Sequence, residues 1–318
     1  MHGTKYLLFA ALLATAASCD AVDASLLDLV MPDAKVVSGI HVDQTKATPF
    51  GRYVLSRMQT GDQDLRKFMD QTGFDPRRDL NEILVASTGT EGASHTLILG
   101  RGAFDAARMT SAAKQAGATL IRYHGIDILQ HKEHDTDGGI ALLDGGTAVI
   151  GDLASVQAAI DRRNSGSASP VALADKVRKV STANDVWFLT LGPPSAFLNG
   201  KIADPNLNGA MKGDMLQSVE EASGGLRFGA FNVSLTAELV ARSEKDASAL
   251  ADVVRFFAGM VQLNRPSGPD AGKAASLLDN LQLSAESNVM KLSLAMPEDQ
   301  LEHLLAPHPP RKTAAGRP

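Results

Sequence analysis

The chain has 318 residues, 44% hydrophobic, 21% charged and 5% aromatic, with one cysteine and a formal net charge of −5. At ~100–200 residues per domain this length suits about two domains, and the composition excludes general disorder. A slightly acidic chain lacks the basic excess that nucleic-acid binding needs, and a single cysteine excludes a disulfide framework or a cysteine-rich zinc site.

Residues 1–5 carry one lysine, and residues 6–17 are apolar and uncharged. That stretch is shorter than the ~20 apolar residues of a membrane span and has the length of the apolar region in a secretory signal. Ala14-Thr15-Ala16 suits ordinary cleavage. Ala16-Ala17-Ser18-Cys19 instead resembles a bacterial lipobox, with Ala16 where leucine is usual, and makes Cys19 the residue to be lipidated. Both readings predict export, to the periplasm or to a membrane-anchored state through Cys19. Residues 1–18 are then the signal peptide and 19–33 an N-terminal tether.

In the first half, 34–164, a strand is expected at 35–43 and helices at 49–58 and 62–71. A hairpin follows at 82–88 and 95–101, then a helix at 104–116. Residues 119–123 pair with 126–130 across His124-Gly125, where a two-residue turn wants positive φ. Residues 140–143 pair with 147–150 across Gly145-Gly146. Asp152 caps a closing helix with Leu153, Val156 and Ile160 on one face.

Residues 165–170, within an Asn/Ser/Gly/Pro cluster, read as a linker. The second half, 171–306, repeats the plan. It has a strand at 185–191, helices opening at 193 and spanning 215–222, and a hairpin at 226–232 and 235–242. A helix at 246–261, a hairpin at 281–285 and 290–295, and a final helix from Pro297 complete it. The proline-rich tail 307–318 is expected to be disordered. Short hairpin connections make the strands antiparallel. The fold class is α+β: two similar halves, each an antiparallel sheet with helices packed on one face, in a duplicated β-α-ββ-α-ββ-α plan.

Two signatures carry a resemblance. Gly73-Phe74-Asp75-Pro76-Arg77-Arg78-Asp79-Leu80 stands before a strand, and Gly151-Asp152 opens a helix that reaches Ala159-Ile160. Together they resemble a family of uncharacterised exported proteins of soil Acidobacteria, over roughly residues 34–305. The resemblance implies a signal peptide and two α+β lobes; it brings no established activity.

Chemistry-bearing motifs are sparse. His131, His134, Asp135 and Asp137 gather imidazole and carboxylate donors near one loop, the types that hold a divalent metal. His124 lies at the far end of the same strand, ~20 Å away at the usual rise. The competing reading is a solvated hairpin loop. Arg77 and Arg78 could grip a carboxylate or phosphate; alternatively Asp75 caps a proline turn whose charges pair locally. Ser111-x-x-Lys114 has the serine–lysine spacing of penicillin-recognising enzymes without their companion motifs. Trp187 reads as a packing residue, and His41 is expected to face away from the helices.

No complete catalytic constellation is present. The leading expectation is an exported, non-enzymatic binding or scaffold protein of the bacterial envelope, whose partner is an envelope protein or a small ligand held between the halves. Lipid enters as a partner through Cys19, and nucleic acid does not. An exported metal-dependent hydrolase using His131 and His134 is one alternative. A periplasmic chaperone or lipid carrier is another, and it requires an apolar concavity.

Overall fold

The computed structural model describes residues 21–58, 63–89, 95–133, 136–194, 217–263 and 278–305. The segment expected to be a signal peptide, Cys19, residues 195–216 and the tail 307–318 expected to be disordered lie outside them. Twelve strands are described: β1 (Val36–His41), β2 (Leu80–Ser87), β3 (Thr96–Gly102), β4 (Thr119–Tyr123), β5 (Ile126–Glu133), β6 (Thr136–Asp144), β7 (Thr147–Asp152), β8 (Val186–Thr190), β9 (Val219–Phe228), β10 (Asn232–Ala241), β11 (Leu281–Glu286) and β12 (Val289–Pro297). The helices are α1 (Ala24–Leu27), α2 (Val42–Ala47), α3 (Pro49–Met58), α4 (Gln63–Thr72), α5 (Pro76–Asp79), α6 (Ala106–Gln115), α7 (Leu153–Ser165), α8 (Val171–Ala183), α9 (Glu244–Leu263) and α10 (Glu298–Leu305).

The protein is α+β, and its strands form one antiparallel sheet. The order is β11-β12-β10-β9-β8-β1-β2-β3-β7-β6-β5-β4. The two halves therefore do not own separate sheets. They are joined at a β1–β8 ladder, in which Val37 stands opposite Leu189 and Gly39 opposite Trp187.

Local chemistry accounts for most of the turns and caps. His124 (φ 48°) and Gly125 (φ 82°) close the β4–β5 hairpin, the doubly positive pattern that suits strand twist. The Asp152 side chain accepts from Ser155 N–H at the start of α7. Other expectations shift. Residues 219–222, read as helix, begin β9, and the β9–β10 turn falls at 229–231 instead of 233–234. The strand expected at 35–43 ends at His41, where α2 begins.

Coverage of the sheet differs from the one-face expectation. On one face, Leu84 stands beside Leu99, Leu99 beside Val149 and Val149 beside Ala141, all buried beneath α7, α8 and the N-terminal segment. On the other face lie α3, α9 and α10. Phe50 packs there with Phe228 and Val233, and Leu250 with Ala241 and Met290. The central strands are apolar at successive positions, as strands buried on both faces must be.

The segment read as a tether is, from Val22 onward, part of the core. Leu26, Leu27, Leu29, Val30 and Met31 are buried with Trp187 and Ile160. Arg101 pairs with Asp23, Arg162 donates to Leu29 O, and Ser169 N–H donates to Asp28 Oδ1. The linker is a short α7–α8 connection lying against this strap. Because one core draws on both halves, burial crosses the expected boundary at 165–170.

Candidate functional site

The second face of the first half holds the most distinctive cavity. Cross-strand register places Ile98 of β3 beside Ile150 of β7, and Ile150 beside Ile140 of β6. These three isoleucines stay 38%, 39% and 36% exposed, although each of their strands is flanked by another on both sides. Phe68 of α4, also 36% exposed, and Met109 of α6 stand over them without closing onto them. The space between is a cavity of about 410 Å³ with almost wholly apolar walls.

Its rim is built from rings. Phe74 stacks on Phe104 at 5.5 Å, and Phe68 meets Phe74 edge-on at 6.1 Å. Such pairs favour these geometries and hold their partners in place. Asp105 caps α6 just after Phe104, accepting from Arg108 N–H. The volume lies within the ~300–1,000 Å³ of small-molecule sites. Of the lining, the sequence singled out only the Gly73–Leu80 signature with Phe74 and Arg77, and it assigned no cavity to them. The signal of the isoleucines is the unbroken apolar run in each strand, which marks two-sided burial but not a void.

A larger groove of about 640 Å³ lies on the opposite face beside α8. Its charged groups are largely committed to one another: Lys176 pairs with Glu221, and Lys179 with Glu238.

Arg77 and Arg78 fall in α5. Arg77 holds Asp75 through Nε (3.0 Å) and Nη2 (2.6 Å), while Arg78 grips Asp79 in the same bidentate manner. The Asp75 side chain also accepts from Arg77 N–H and caps the helix. The Arg77 hydrogen bond holds the Asp75 carboxyl below its usual range, and Arg78 does the same for Asp79. Both guanidinium groups thus spend their forks on neighbouring carboxylates. Arg77 nevertheless lies on the rim of the apolar cavity.

The metal-ligand expectation divides. His134 and Asp135 lie outside the described residues. His131 stands opposite Gly138, and Asp137 opposite Lys132, so adjacent register positions send His131 and Asp137 to opposite faces of the β5–β6 ribbon. Among the described residues, no three His, Cys, Asp or Glu side chains gather as a metal site. His124 faces Asp161 at 3.4 Å.

His41 faces α8, against the expectation that it points away from the helices. It is buried, donates from Nε2 to Ser181 O, and places Nδ1 3.5 Å from Glu82 Oε1. Glu82 accepts from Asp23 N–H at Oε2, while its Oε1 is buried without a hydrogen bond among the described residues. Burial pushes the Glu82 carboxyl up to about 7. Asp23 is also pushed up by burial, but hydrogen bonds from Ser25 and Arg101 outweigh this and leave it below its ordinary value. Trp187 is packed in the core, as its sequence context suggested.

No protein-family model and no curated protein matches the chain. Among solved structures the chain is similar to TP0453, a treponemal protein, in three of its crystal forms. Crystal form IV aligns with a TM-score of 0.53 over 89% of this chain and 97% of that one, at 12% identity. Form III gives 0.52 over 88% and 96%, and form I gives 0.50 over 90% and 98%, both also at 12% identity. At that identity the likeness speaks to the fold.

Proposed function

We propose that the protein is an exported envelope protein, anchored through Cys19, that binds the hydrocarbon part of a lipid-like amphiphile in the Ile98–Ile150–Ile140 cavity. The observation that carries the reading is that row of adjacent, half-exposed isoleucines under a ring-walled roof. Apolar surface left in water costs about 25 cal/mol per Å², so an apolar guest gains by covering it. Export rests on the apolar leader at 6–17, and anchoring on the lipobox-like Ala16–Cys19.

The two halves read as divergent copies. Outward from the β1–β8 seam, β1-β2-β3-β7-β6 runs parallel in plan to β8-β9-β10-β12-β11. Helix α6 then corresponds to α9. In the second half Ala247, Leu250 and Ala251 of α9 seat directly on the sheet. The first half keeps a cavity at the corresponding level and adds the β4–β5 hairpin beside it. On this reading, one copy supplies stability and the other a binding site.

The test is binding of a fluorescent fatty-acid analogue to purified mature protein, displaced by an unlabelled fatty acid. An Ile98→Asp/Ile150→Asp double variant should bind at least tenfold more weakly. Its thermal midpoint should fall too, because two carboxylates then stand side by side on half-covered strands, so binding is compared well below that midpoint, where circular dichroism shows the variant folded. Failure of the native protein to bind, or equal binding by the variant, sinks the reading.

A further inference from the structure

Two independent features meet at one end of the sheet. The first is where the N-terminal chain joins the fold. Val22 N–H donates to Ser181 Oγ, and Asp23 N–H donates to Glu82 Oε2. Ser181 and Glu82 lie where β1 ends, β2 begins and β8 is about to start. Only three residue steps separate Val22 from Cys19, and an extended chain covers at most ~3.6 Å per step. A lipid on Cys19 therefore holds this end of the sheet within about 11 Å of the bilayer interface.

The second feature is Phe231, 87% exposed in the β9–β10 turn. The turn belongs to the same end. His41 N–H donates to Asp185 O, and Phe228 N–H donates to the Asp185 carboxylate at 2.6 Å. The turn is also fixed in shape, with Gly229 N–H donating to Asn232 O and Glu298 N–H to Phe231 O. A large ring is thus held out on a hydrogen-bonded loop beside the place where the anchor leaves. Helix α9 brings two more exposed apolar side chains, Phe256 (63%) and Met260 (40%), on the half nearest this end. Its last turn reaches the start of β11, where Gln262 donates to Asp279.

We propose that this end of the sheet is the membrane-facing surface of the protein, with Phe231 inserted among the lipids next to the N-terminal anchor. The occupant is a phospholipid bilayer, and the proposal rests on the anchoring half of the proposed function, not on the apolar cavity. Attraction to anionic headgroups is not the driving term. Lys46 pairs with Asp43, Arg77 with Asp75 and Arg78 with Asp79, and the whole chain is acidic. Contact through apolar side chains scales with buried apolar area and tolerates neutral lipid.

The test uses Phe231→Trp in the full protein, recovered from its membrane fraction and returned to phosphatidylcholine vesicles with or without brominated acyl chains. The native Trp187 is 1% exposed and should not respond to lipid, so the emission of the new indole is read as the difference from native protein. The expected result is a blue-shifted emission quenched severalfold by brominated lipid, unchanged when phosphatidylglycerol replaces part of the neutral lipid. Vesicle-bound, lipidated protein whose new indole stays quenchable by aqueous iodide overturns the orientation and leaves the anchor standing. Protein without an acyl adduct that does not bind vesicles overturns both, while fatty-acid binding in the cavity is judged separately. A dimer in solution that Phe231→Ser dissociates would assign the surface to a second copy instead and also overturn the proposal.

Discussion

Gly39 lies opposite Trp187 in the ladder that joins the two halves, and a Cβ placed on it would come within 2.5 Å of the indole ring. The ring is fixed in a core that draws side chains from α1, α7, α8 and both halves of the sheet. The absence of a side chain at residue 39 is therefore what lets β1 and β8 lie together with Trp187 between them and the helices.

Gly39→Ala should destabilise the protein by about 1–3 kcal/mol, the usual cost of overpacking a filled core. Urea denaturation should show a lower midpoint at unchanged slope. The cost should shrink in a Trp187→Phe background, because the smaller ring vacates the contested space. Equal cost in both backgrounds would mean the clash is relieved elsewhere.

Glu82 makes stability depend on pH. Its carboxyl is pushed from an ordinary value near 4.5 to about 7, chiefly by burial. The folded state thus holds a proton that the unfolded chain releases between those values. The resulting stability is fully present below pH ~4.5 and lost as pH rises through about 7. Glu82→Gln keeps an acceptor for Asp23 N–H without the charge. At pH 8 it should be more stable than the native protein by about 2 kcal/mol, and at pH 4.5 nearly equal to it. Parallel pH profiles for the two proteins would contradict this.

Asp152 ends β7 and caps α7. It accepts from Ser155 N–H at 2.9 Å and from His95 Nδ1 at 3.0 Å. Asp152→Ala should cost about 1 kcal/mol, and Asp152→Asn much less, since asparagine caps nearly as well. Chemical denaturation of the two variants decides it; equal losses would point to the His95 contact over the cap.

Much of the local structure was legible. The Asp152 cap, the His124-Gly125 turn and the local pairing of Asp75 with Arg77 each depend on residues a few positions apart, so their chemistry is written in adjacent letters. Eleven of the twelve described strands were recognisable from their apolar content, while β9 was expected only from residue 226. Helix α8 was not expected, although Leu173, Val177 and Val180 stand at helical spacing. Residues 219–225 were harder, because two glutamates and two glycines disguise a strand. Those glycines allow close backbone approach: a Cβ on Gly224 would lie 2.3 Å from Thr236 O.

The candidate site was legible only as runs of apolar letters. A strand such as Thr96–Gly102, with Leu97, Ile98 and Leu99 in succession, declares that both of its faces will be covered. It does not say how closely. Whether Ile98 meets a helix or a cavity depends on how far α4 and α6 stand from the sheet, and Phe68, Phe74 and Phe104 set that distance from far along the chain. Likewise, His41 and Glu82 are separated by 41 positions and become a buried pair only through the β1–β2 register and the strap above it.

By itself the sequence determined the α+β class, most of the strands with their hairpin partners, and the Asp75 and Asp152 caps, because period, turn chemistry and capping act over a handful of residues. Only the tertiary structure decided that the halves share one sheet through Gly39 and Trp187, that the segment after Val22 is core, and that one face keeps an apolar cavity. Each of these is a packing outcome between distant segments, where contact area and steric fit decide and no local spacing records the result.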